Sequence, residues 1–196
     1  PLNSIVGFSS VLTMTDDMEE KKEYNQLIQH NNALLLKVVD DVLELSKLEA
    51  GDFKLYPAWF CLSDLIVESA AECRMKAGGK LDVRVDKPEQ DYMVELDAQY
   101  VKRILSNFLS NALKNTQSGY IDIAYSMADG GVKISVKDTG CGIPQDKLPL
   151  VFDRFEKVDS FVQGGGLGLP ICKSIAENMG GTIGVVSEVG AGTTFW

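Results

Sequence analysis

The sequence predicts two domains: an α-helical hairpin that forms a dimeric four-helix bundle, followed by an α+β sandwich with a mixed, mostly antiparallel sheet covered by helices on one face. Residues 1–51 are predicted to form the hairpin, because their apolar residues recur at helical spacing in two segments. Residues 52–196 predict the sandwich because helical segments alternate there with short strand-like stretches. The length of 196 residues suits two small domains.

The composition narrows the classes of function. The chain has 28 Asp and Glu against 19 Lys and Arg, and this net charge of −9 argues against a nucleic-acid footprint. The one histidine, His30, excludes a zinc site built from several histidines. The 4 widely spaced cysteines favour a reduced, cytosolic setting over a disulfide framework. No segment approaches the ~20 apolar residues of a membrane-spanning helix.

The first domain is predicted to consist of two amphipathic helices joined by a short turn. The first helix starts near Leu2 and is interrupted by capping and turn residues at 13–17. The second carries a narrow apolar seam of nearly heptad period from Tyr24 to Leu48, and Ala50-Gly51 ends it. A lone hairpin cannot bury this seam on both sides, so a second hairpin is expected to pair with it. The alternative is a helical extension folded onto the rest of the same chain.

The elements of the second domain are predicted from helix-capping residues and from changes in the spacing of the apolar residues. Ser63 can cap a helix that runs to about Ala77, and Asp97 can cap another that runs to about Asn115. The other predicted elements are a strand at 81–85, a hairpin of 120–127 with 132–136, a helix at 168–179, and strands at 182–186 and 193–196.

The helix after Asp97 carries a polar stripe opposite its apolar face. Spacings of 3, 4, 4 and 3 place Tyr100, Arg103, Asn107, Asn111 and Lys114 on one side. Amide oxygens are neutral, hard ligands suited to Mg²⁺, which retains substrate phosphates in its shell, and an ammonium group can neutralise phosphate charge. A solvated helix surface is the alternative interpretation of this stripe.

Two glycine motifs are further candidates for a nucleotide site beside this polar stripe. In Asp138-Thr-Gly-Cys-Gly142, a carboxylate that can accept from an exocyclic amine precedes glycines that allow close approach of the backbone to a ligand. Gly164-Gly-Gly-Leu-Gly-Leu169 directly precedes a helix, whose free N–H groups and positive dipole end suit phosphate. An Asx turn and a flexible linker are the respective alternatives, but three such elements in one domain favour a nucleotide site.

The order of these motifs resembles the core of a sensor histidine kinase of two-component signalling, and the resemblance spans nearly the whole chain. Asn107-Phe-Leu-Ser-Asn-Ala-Leu-Lys114 is similar to the N box of that family, and the motifs at 138–142 and 164–169 are similar to its glycine boxes. Three further motifs match in order: the tail of the H box at Pro1-Leu-Asn-Ser-Ile-Val-Gly-Phe8, the F box at Val151-Phe-Asp-Arg-Phe155, and the last box at Gly190-Ala-Gly-Thr-Thr-Phe195.

The resemblance implies a dimerisation and histidine-phosphotransfer hairpin at 1–51 and an ATP-binding catalytic domain at 52–196. It implies that Asn111 ligates Mg²⁺, that Asn107 supports the phosphates and that Lys114 contacts them during catalysis. It further implies that Asp138 holds the adenine amine. The remaining nucleotide-binding residues that it implies are Gly140 and Gly142 for the base pocket, Gly164, Gly166, Leu167, Gly168 and Leu169 for the lid hinge and phosphate cradle, and Thr193 beside Asp138.

The expected activity is autophosphorylation from Mg²⁺-bound ATP, followed by transfer to an aspartate of a response-regulator receiver domain. In the family pattern H-E-x-R-T-P-L the acceptor histidine precedes the position of Pro1, so the acceptor is absent from these residues, and His30 is expected to be a flanking position of the seam. We expect a homodimer located in the cytoplasm, with any membrane attachment outside this segment.

The alternatives are a catalytically silent nucleotide-binding signalling module and a conformational ATPase of the gyrase or chaperone type. The latter would need a glutamate base that the N-box helix lacks.

Overall fold

The structure is a computed structural model that describes residues 1–88, 90–128, 130–154 and 166–196. Pro1–Gly51 forms one compact unit and Asp52–Trp196 forms a second. Among the described helices, none combines the length and the apolar character needed to cross a bilayer.

The first unit is a helical hairpin of α1 (Leu2–Leu12) and α2 (Met18–Glu49), as predicted. The side chain of Asp17 caps α2, since its Oδ1 accepts a hydrogen bond from the backbone N–H of Glu19 at 2.8 Å. The two helices pack against each other, and the stacked rings of Phe8 and Tyr24 lie 6.2 Å apart between centroids. The short turn therefore forces the two helices to run antiparallel.

One face of α2 stays uncovered within the hairpin. Leu36, Val39 and Leu43 are 65%, 47% and 55% exposed, and their spacing of 3 and 4 places them on the same side of the helix. Seam residues such as Leu34 and Leu35 are half-buried. The hairpin thus presents an additional apolar stripe, Leu36-Val39-Leu43, that its own partner helix does not cover.

The second unit is a two-layer sandwich. Its main sheet has the strand order β2-β4-β5-β7-β6; β2 runs parallel to β4, and the other neighbours are antiparallel. A separate antiparallel ribbon joins β1 and β3. The elements are β1 (Ala58–Cys61), α3 (Leu62–Ala77), β2 (Asp82–Asp86), β3 (Met93–Leu96), α4 (Ala98–Asn115), β4 (Tyr120–Ala128), β5 (Gly131–Asp138), a 3-10 helix (Leu148–Leu150), α5 (Gly168–Asn178), β6 (Val185–Glu188) and β7 (Gly192–Phe195).

The core lies between the sheet and the helices. Helix α4 packs against β4 and β5, with α3 and α5 as its neighbours. The buried side chains of Leu105 and Phe108 on α4 belong to the same apolar cluster as Ile121 and Val136 on the sheet. The ring of Phe195 stacks on Phe108 at 5.4 Å between centroids. The predicted α+β sandwich with a mixed, mostly antiparallel sheet is therefore confirmed.

Asp97 stabilises the start of α4 through both of its carboxylate oxygens. Oδ1 of Asp97 accepts from the backbone N–H of Gln99 at 3.0 Å, which is the predicted cap. Its Oδ2 accepts from the backbone N–H of Tyr56 at 2.9 Å. The same carboxylate therefore caps α4 and ties it to the segment before β1.

Two local predictions need correction, and one element was not predicted. Ser63 does not cap α3: the N-cap position is Cys61, and Ser63 lies buried within the first turn. The strand predicted at 182–186 begins at Val185, although Gly184 and Trp196 still exchange two backbone hydrogen bonds at 2.9 and 3.0 Å. The ribbon of β1 and β3 was not predicted, because two strands of 4 residues each carry almost no periodic signal.

Candidate nucleotide-binding site

The polar stripe of α4 forms one wall of the candidate site. Asn107 is buried, Asn111 is half-buried and Lys114 is exposed, so the stripe runs from the protein interior towards solvent. Within the described residues, the amide Nδ2 of Asn107 is buried and has no hydrogen-bond partner. Because an unpaired buried donor costs free energy, this amide is a candidate contact for a ligand.

The stripe meets the second glycine motif at the start of α5. A Cβ placed on Gly168 would lie 2.8 Å from Oδ1 of Asn107, so a larger residue there would require the Asn107 side chain to shift. Helix α5 begins at Gly168, and Leu167 before it provides no side-chain cap. Pro170 has no N–H and the Ile171 N–H bonds the carbonyl of Leu167, so the donors that this helix start can offer are the N–H groups of Gly168 and Leu169. The Asn107 amide and these N–H groups lie next to each other and can donate to a phosphate group.

The rest of that motif is only partly described. Leu167 is buried and precedes α5, Leu169 is half-buried in the first turn, and Gly166 has a positive φ of 67°. Leu169 also packs against the apolar cluster of the sandwich. The predicted residue Gly164 lies outside the described residues.

Asp138 lies at the end of β5, at the start of the first glycine motif. Its side chain is buried, and Oδ1 accepts from the backbone N–H of Gly140 at 2.8 Å. Burial raises the pKa of the Asp138 carboxyl, while hydrogen bonds from the backbone of Gly140 and Thr193 oppose that rise. A buried carboxyl with two backbone partners keeps acceptor capacity for a further donor.

The glycines after Asp138 are required by neighbouring backbone. A Cβ on Gly140 would collide with the carbonyl oxygen of Asn115, the last residue of α4. That same carbonyl accepts from the backbone N–H of Cys141 at 3.2 Å. Gly142 has a φ of 72°, and a Cβ there would collide with the carbonyl of Glu188. The loop is therefore pressed between α4 and the β6–β7 turn.

Thr193 lies directly beside Asp138, as the resemblance implied. It follows Gly192, whose φ is 101° and whose Cβ, if present, would collide with the carbonyl of Asp138. The Thr193 hydroxyl is 2.9 Å from the hydroxyl of Ser187, its partner on the neighbouring strand. The N-box helix, both glycine motifs and the last motif thus border one another in this unit.

Sequence reasoning missed two residues of this arrangement. Ser187 lies on β6, where an isolated serine in a short strand gives no functional signal, and Gly192 was recognised only as part of a motif. The positive φ of Gly192 and its approach to β5 depend on strand pairing and have no local signature. Across the described ranges no three His, Cys, Asp or Glu side chains cluster as a metal site would require.

Comparison with known proteins gives family matches to both parts of the chain. Residues 96–196 match the family of histidine kinase-, DNA gyrase B-, and HSP90-like ATPases, and residues 1–51 match the His Kinase A (phospho-acceptor) domain. Sensor protein EvgS of Escherichia coli strain K12 is 32% identical over 206 residues, which cover 100% of this chain and 17% of EvgS. The chain therefore spans about a sixth of the length of that relative.

Two solved structures share the fold over the whole chain. Full-length ShkA in complex with AMPPNP superposes with a TM-score of 0.77 at 32% identity and covers 100% of this chain and 42% of ShkA. Histidine kinase ThkA in complex with response regulator protein TrrA gives a TM-score of 0.81 at 28% identity, covering 100% of this chain and 56% of that one. Since the ATPase family spans more than half of the 196 residues and the phospho-acceptor family spans the hairpin, this chain belongs to the sensor histidine kinases of two-component signalling.

Proposed function

We propose that Asp52–Trp196 binds ATP together with Mg²⁺ and donates its γ-phosphoryl group to a histidine on the hairpin helix that leads into Pro1. The observation that carries this proposal is the convergence of Asn107 with Gly168 and of Asp138 with Thr193 in one unit. The AMPPNP bound by ShkA is an ATP analogue, which supports ATP as the ligand. Pro1–Gly51 then acts as the dimerisation and phosphotransfer domain, and Asp52–Trp196 as the catalytic domain.

Each residue of the site has a defined task in this proposal. The Asp138 carboxylate accepts from the adenine amine, with Thr193 beside it, and Gly140 and Gly142 let the backbone approach the base. The start of α5, with Gly168 at its first position, and the Nδ2 of Asn107 bind phosphate oxygens. Leu167 and Leu169 anchor this start in the apolar interior. Gly164, which the resemblance assigns with Gly166 to the lid hinge and phosphate cradle, lies outside the described residues.

The donor set fits a magnesium ion that is shared with the nucleotide. Asn111 offers a neutral amide oxygen from a half-buried position, and the absence of clustered carboxylates among the described residues leaves phosphate oxygens as the charged ligands. When bound, the ion neutralises charge on the phosphate oxygens. Lys114, an exposed residue one turn further along α4, adds a positive charge on the same face.

Transfer needs little from the protein beyond positioning and charge stabilisation. The bond between the γ-phosphorus and its bridging oxygen breaks, ADP leaves with that oxygen, and a bond forms to the unprotonated nitrogen of a neutral imidazole, whose other nitrogen keeps its proton. The phosphoryl group then passes to an aspartate of a response regulator; ThkA, whose fold this chain shares, was solved with such a partner. We place the reaction in the cytoplasm, where ATP is available.

We further propose that two hairpins form a homodimer. The stripe Leu36-Val39-Leu43 is exposed on a helix of 32 residues, long enough for a four-helix bundle. A conformational ATPase is disfavoured, because α4 contains no Asp or Glu to activate water.

Titration of ATP by calorimetry with and without Mg²⁺ tests the binding step. We expect Mg²⁺ to raise the affinity of the parent, and Asn111→Ala to lose most of that increase while keeping its Mg²⁺-free affinity. Asn178→Ala, at the exposed end of α5, is the matched control and should behave as the parent does. An unchanged magnesium dependence in Asn111→Ala would contradict the assigned role.

Labelling with γ-³²P-ATP tests the transfer step. We expect no label on this 196-residue chain, and acid-labile label on a chain extended upstream through the family histidine. Acid-labile label on His30 would overturn the assignment of the acceptor. If the extended chain binds ATP but takes no label, the silent nucleotide-binding module is the better description.

A further inference from the structure

Ser187 and Thr193 face each other across the β6–β7 ladder. They are direct register partners, and both side chains are more than nine-tenths buried. Thr193 alternates with the core residue Phe195 on β7, so its side chain is on the helix-facing side of the sheet. This is the side on which α4 lies.

The hydrogen bonds of Ser187 determine which hydroxyl donates. Its Oγ–H donates to the carbonyl of Gly192 at 2.8 Å, and a carbonyl can only accept. Its Oγ also accepts from the backbone N–H of Ile143 at 2.8 Å. With the Ser187 proton assigned to the Gly192 carbonyl, the 2.9 Å contact between the hydroxyls, in which distance alone lets either oxygen donate, is assigned as a donation from Thr193 to Ser187.

The proton of Thr193 is therefore directed away from any ligand. The Thr193 oxygen can still accept a hydrogen bond. It lies next to Asp138, whose carboxylate can also only accept. Two adjacent acceptors attract the exocyclic amine of adenine and repel the carbonyl oxygen that guanine carries at the same place.

We propose that Ser187 is a positioning residue for nucleotide specificity: it orients the Thr193 hydroxyl as an acceptor and so favours adenine over guanine. This inference rests on the proposed ATP site. Ser187 also holds the first glycine loop through Ile143, and its backbone carbonyl accepts from the side chain of Gln145 at 3.2 Å. A purely structural role would weaken every nucleotide alike, whereas the proposed role changes the ratio between two of them.

The experiment measures the affinities of ATP and GTP, each with Mg²⁺, for the parent and a set of variants. In Ser187→Ala the Thr193 proton is released and can turn towards the guanine oxygen, so we expect the ATP-to-GTP affinity ratio to fall by roughly fivefold or more. Ser187→Cys, which keeps the volume but hydrogen-bonds weakly, should shift the ratio in the same direction. Ser187→Thr, which keeps the hydroxyl, should retain the ratio of the parent. The matched control is Ser135→Ala, a half-buried serine on β5.

A double-mutant cycle distinguishes this positioning role of Ser187 from a general disruption of the site. Because Ser187 acts through Thr193, Ser187→Ala should leave the ratio unchanged when it is introduced into Thr193→Val. An unchanged ratio in both Ser187→Ala and Ser187→Cys would overturn the inference while leaving the ATP site intact. A parent that fails to bind ATP would instead refute the proposed function.

Discussion

The side chain of Asn107 lies so close to Gly168 that any larger residue at the start of α5 would press on it: a Cβ there would come within 2.8 Å of Oδ1. Two residues far apart in sequence thereby define the junction of the N-box helix and the second glycine motif. The amide Nδ2 of Asn107 has no partner among the described residues. The close approach therefore holds an unsatisfied donor beside a helix start.

Gly168→Ala tests this junction. The added methyl group should displace the Asn107 amide and lower ATP affinity by about tenfold. The free energy of unfolding should change by less than about 1 kcal/mol, because the displaced Oδ1 is the end of a flexible side chain and Ala has the better helix propensity. Calorimetric titration of ATP and urea unfolding measure the two effects. Gly131→Ala is the control, because the nearest heavy atom to a Cβ there is a carbonyl oxygen at 3.9 Å. Parent-like ATP affinity in Gly168→Ala would contradict the contact.

The pH dependence of ATP binding tests Asp138. Burial raises the pKa of this carboxyl, and only the carboxylate is a pure acceptor for the adenine amine. ATP affinity should therefore decline on the acid side at a pH above that of an ordinary aspartate, whose pKa is about 3.9. The same titration on Asp138→Asn serves as the reference, because its pH dependence reports the protonation of the nucleotide itself. Parallel curves for the parent and Asp138→Asn would count against the carboxylate contact.

The same group links stability to pH with a defined sign. A raised pKa means that the folded state holds the proton to a higher pH than the unfolded chain does. The contribution of Asp138 to stability is therefore fully present below the unfolded pKa and is lost as pH rises through the folded pKa. The free energy of unfolding of the parent, minus that of Asp138→Asn, should decrease from acid to neutral pH in urea titrations. A difference that increases over this range would reverse the assigned direction.

Charge substitution in the stripe Leu36-Val39-Leu43 tests the proposed dimer. Leu36→Lys places an ammonium group on a surface that is 65% exposed in the single chain but desolvated when two hairpins pair. The dimer dissociation constant measured by analytical ultracentrifugation should rise by at least about tenfold, and ATP affinity should stay unchanged. Lys37→Glu, the next exposed position and outside this stripe, is the control. A Leu36→Lys protein as dimeric as the parent would exclude this face.

Phe195 offers a test of the aromatic core beside the site. Its ring stacks on Phe108 at 5.4 Å and meets Phe152 edge-on at 6.4 Å between centroids. Phe195→Leu should lower the free energy of unfolding by about 1–3 kcal/mol, because it loses both ring contacts. Val186→Ala, at a position on β6 that is 67% exposed, should stay within about 0.5 kcal/mol. Equal stabilities would show that the rings contribute little.

The elements with strong local signals were predictable from the sequence. The caps at Asp17 and Asp97 and the left-handed end of α3 at Gly78 are each set by residues within one turn of the helix end. The polar stripe that contains Asn107 and Asn111 follows from helical spacing alone. The order of all the boxes, from the H-box tail through the N box, the glycine boxes and the F box to the last motif, was enough to indicate the family, because each is a short and local pattern.

Tertiary structure alone decided how these motifs meet. Nothing near Gly140 in the sequence shows that the carbonyl of Asn115 excludes a side chain there. The parallel pairing of β2 with β4, the ribbon of β1 and β3, and the contact of the Thr193 hydroxyl with Ser187 likewise depend on distant partners. Local sequence determines turns, caps and helix faces, since those involve neighbours along the chain. Close approaches and proton directions depend on which strands and helices become neighbours in space, and only the folded chain establishes that.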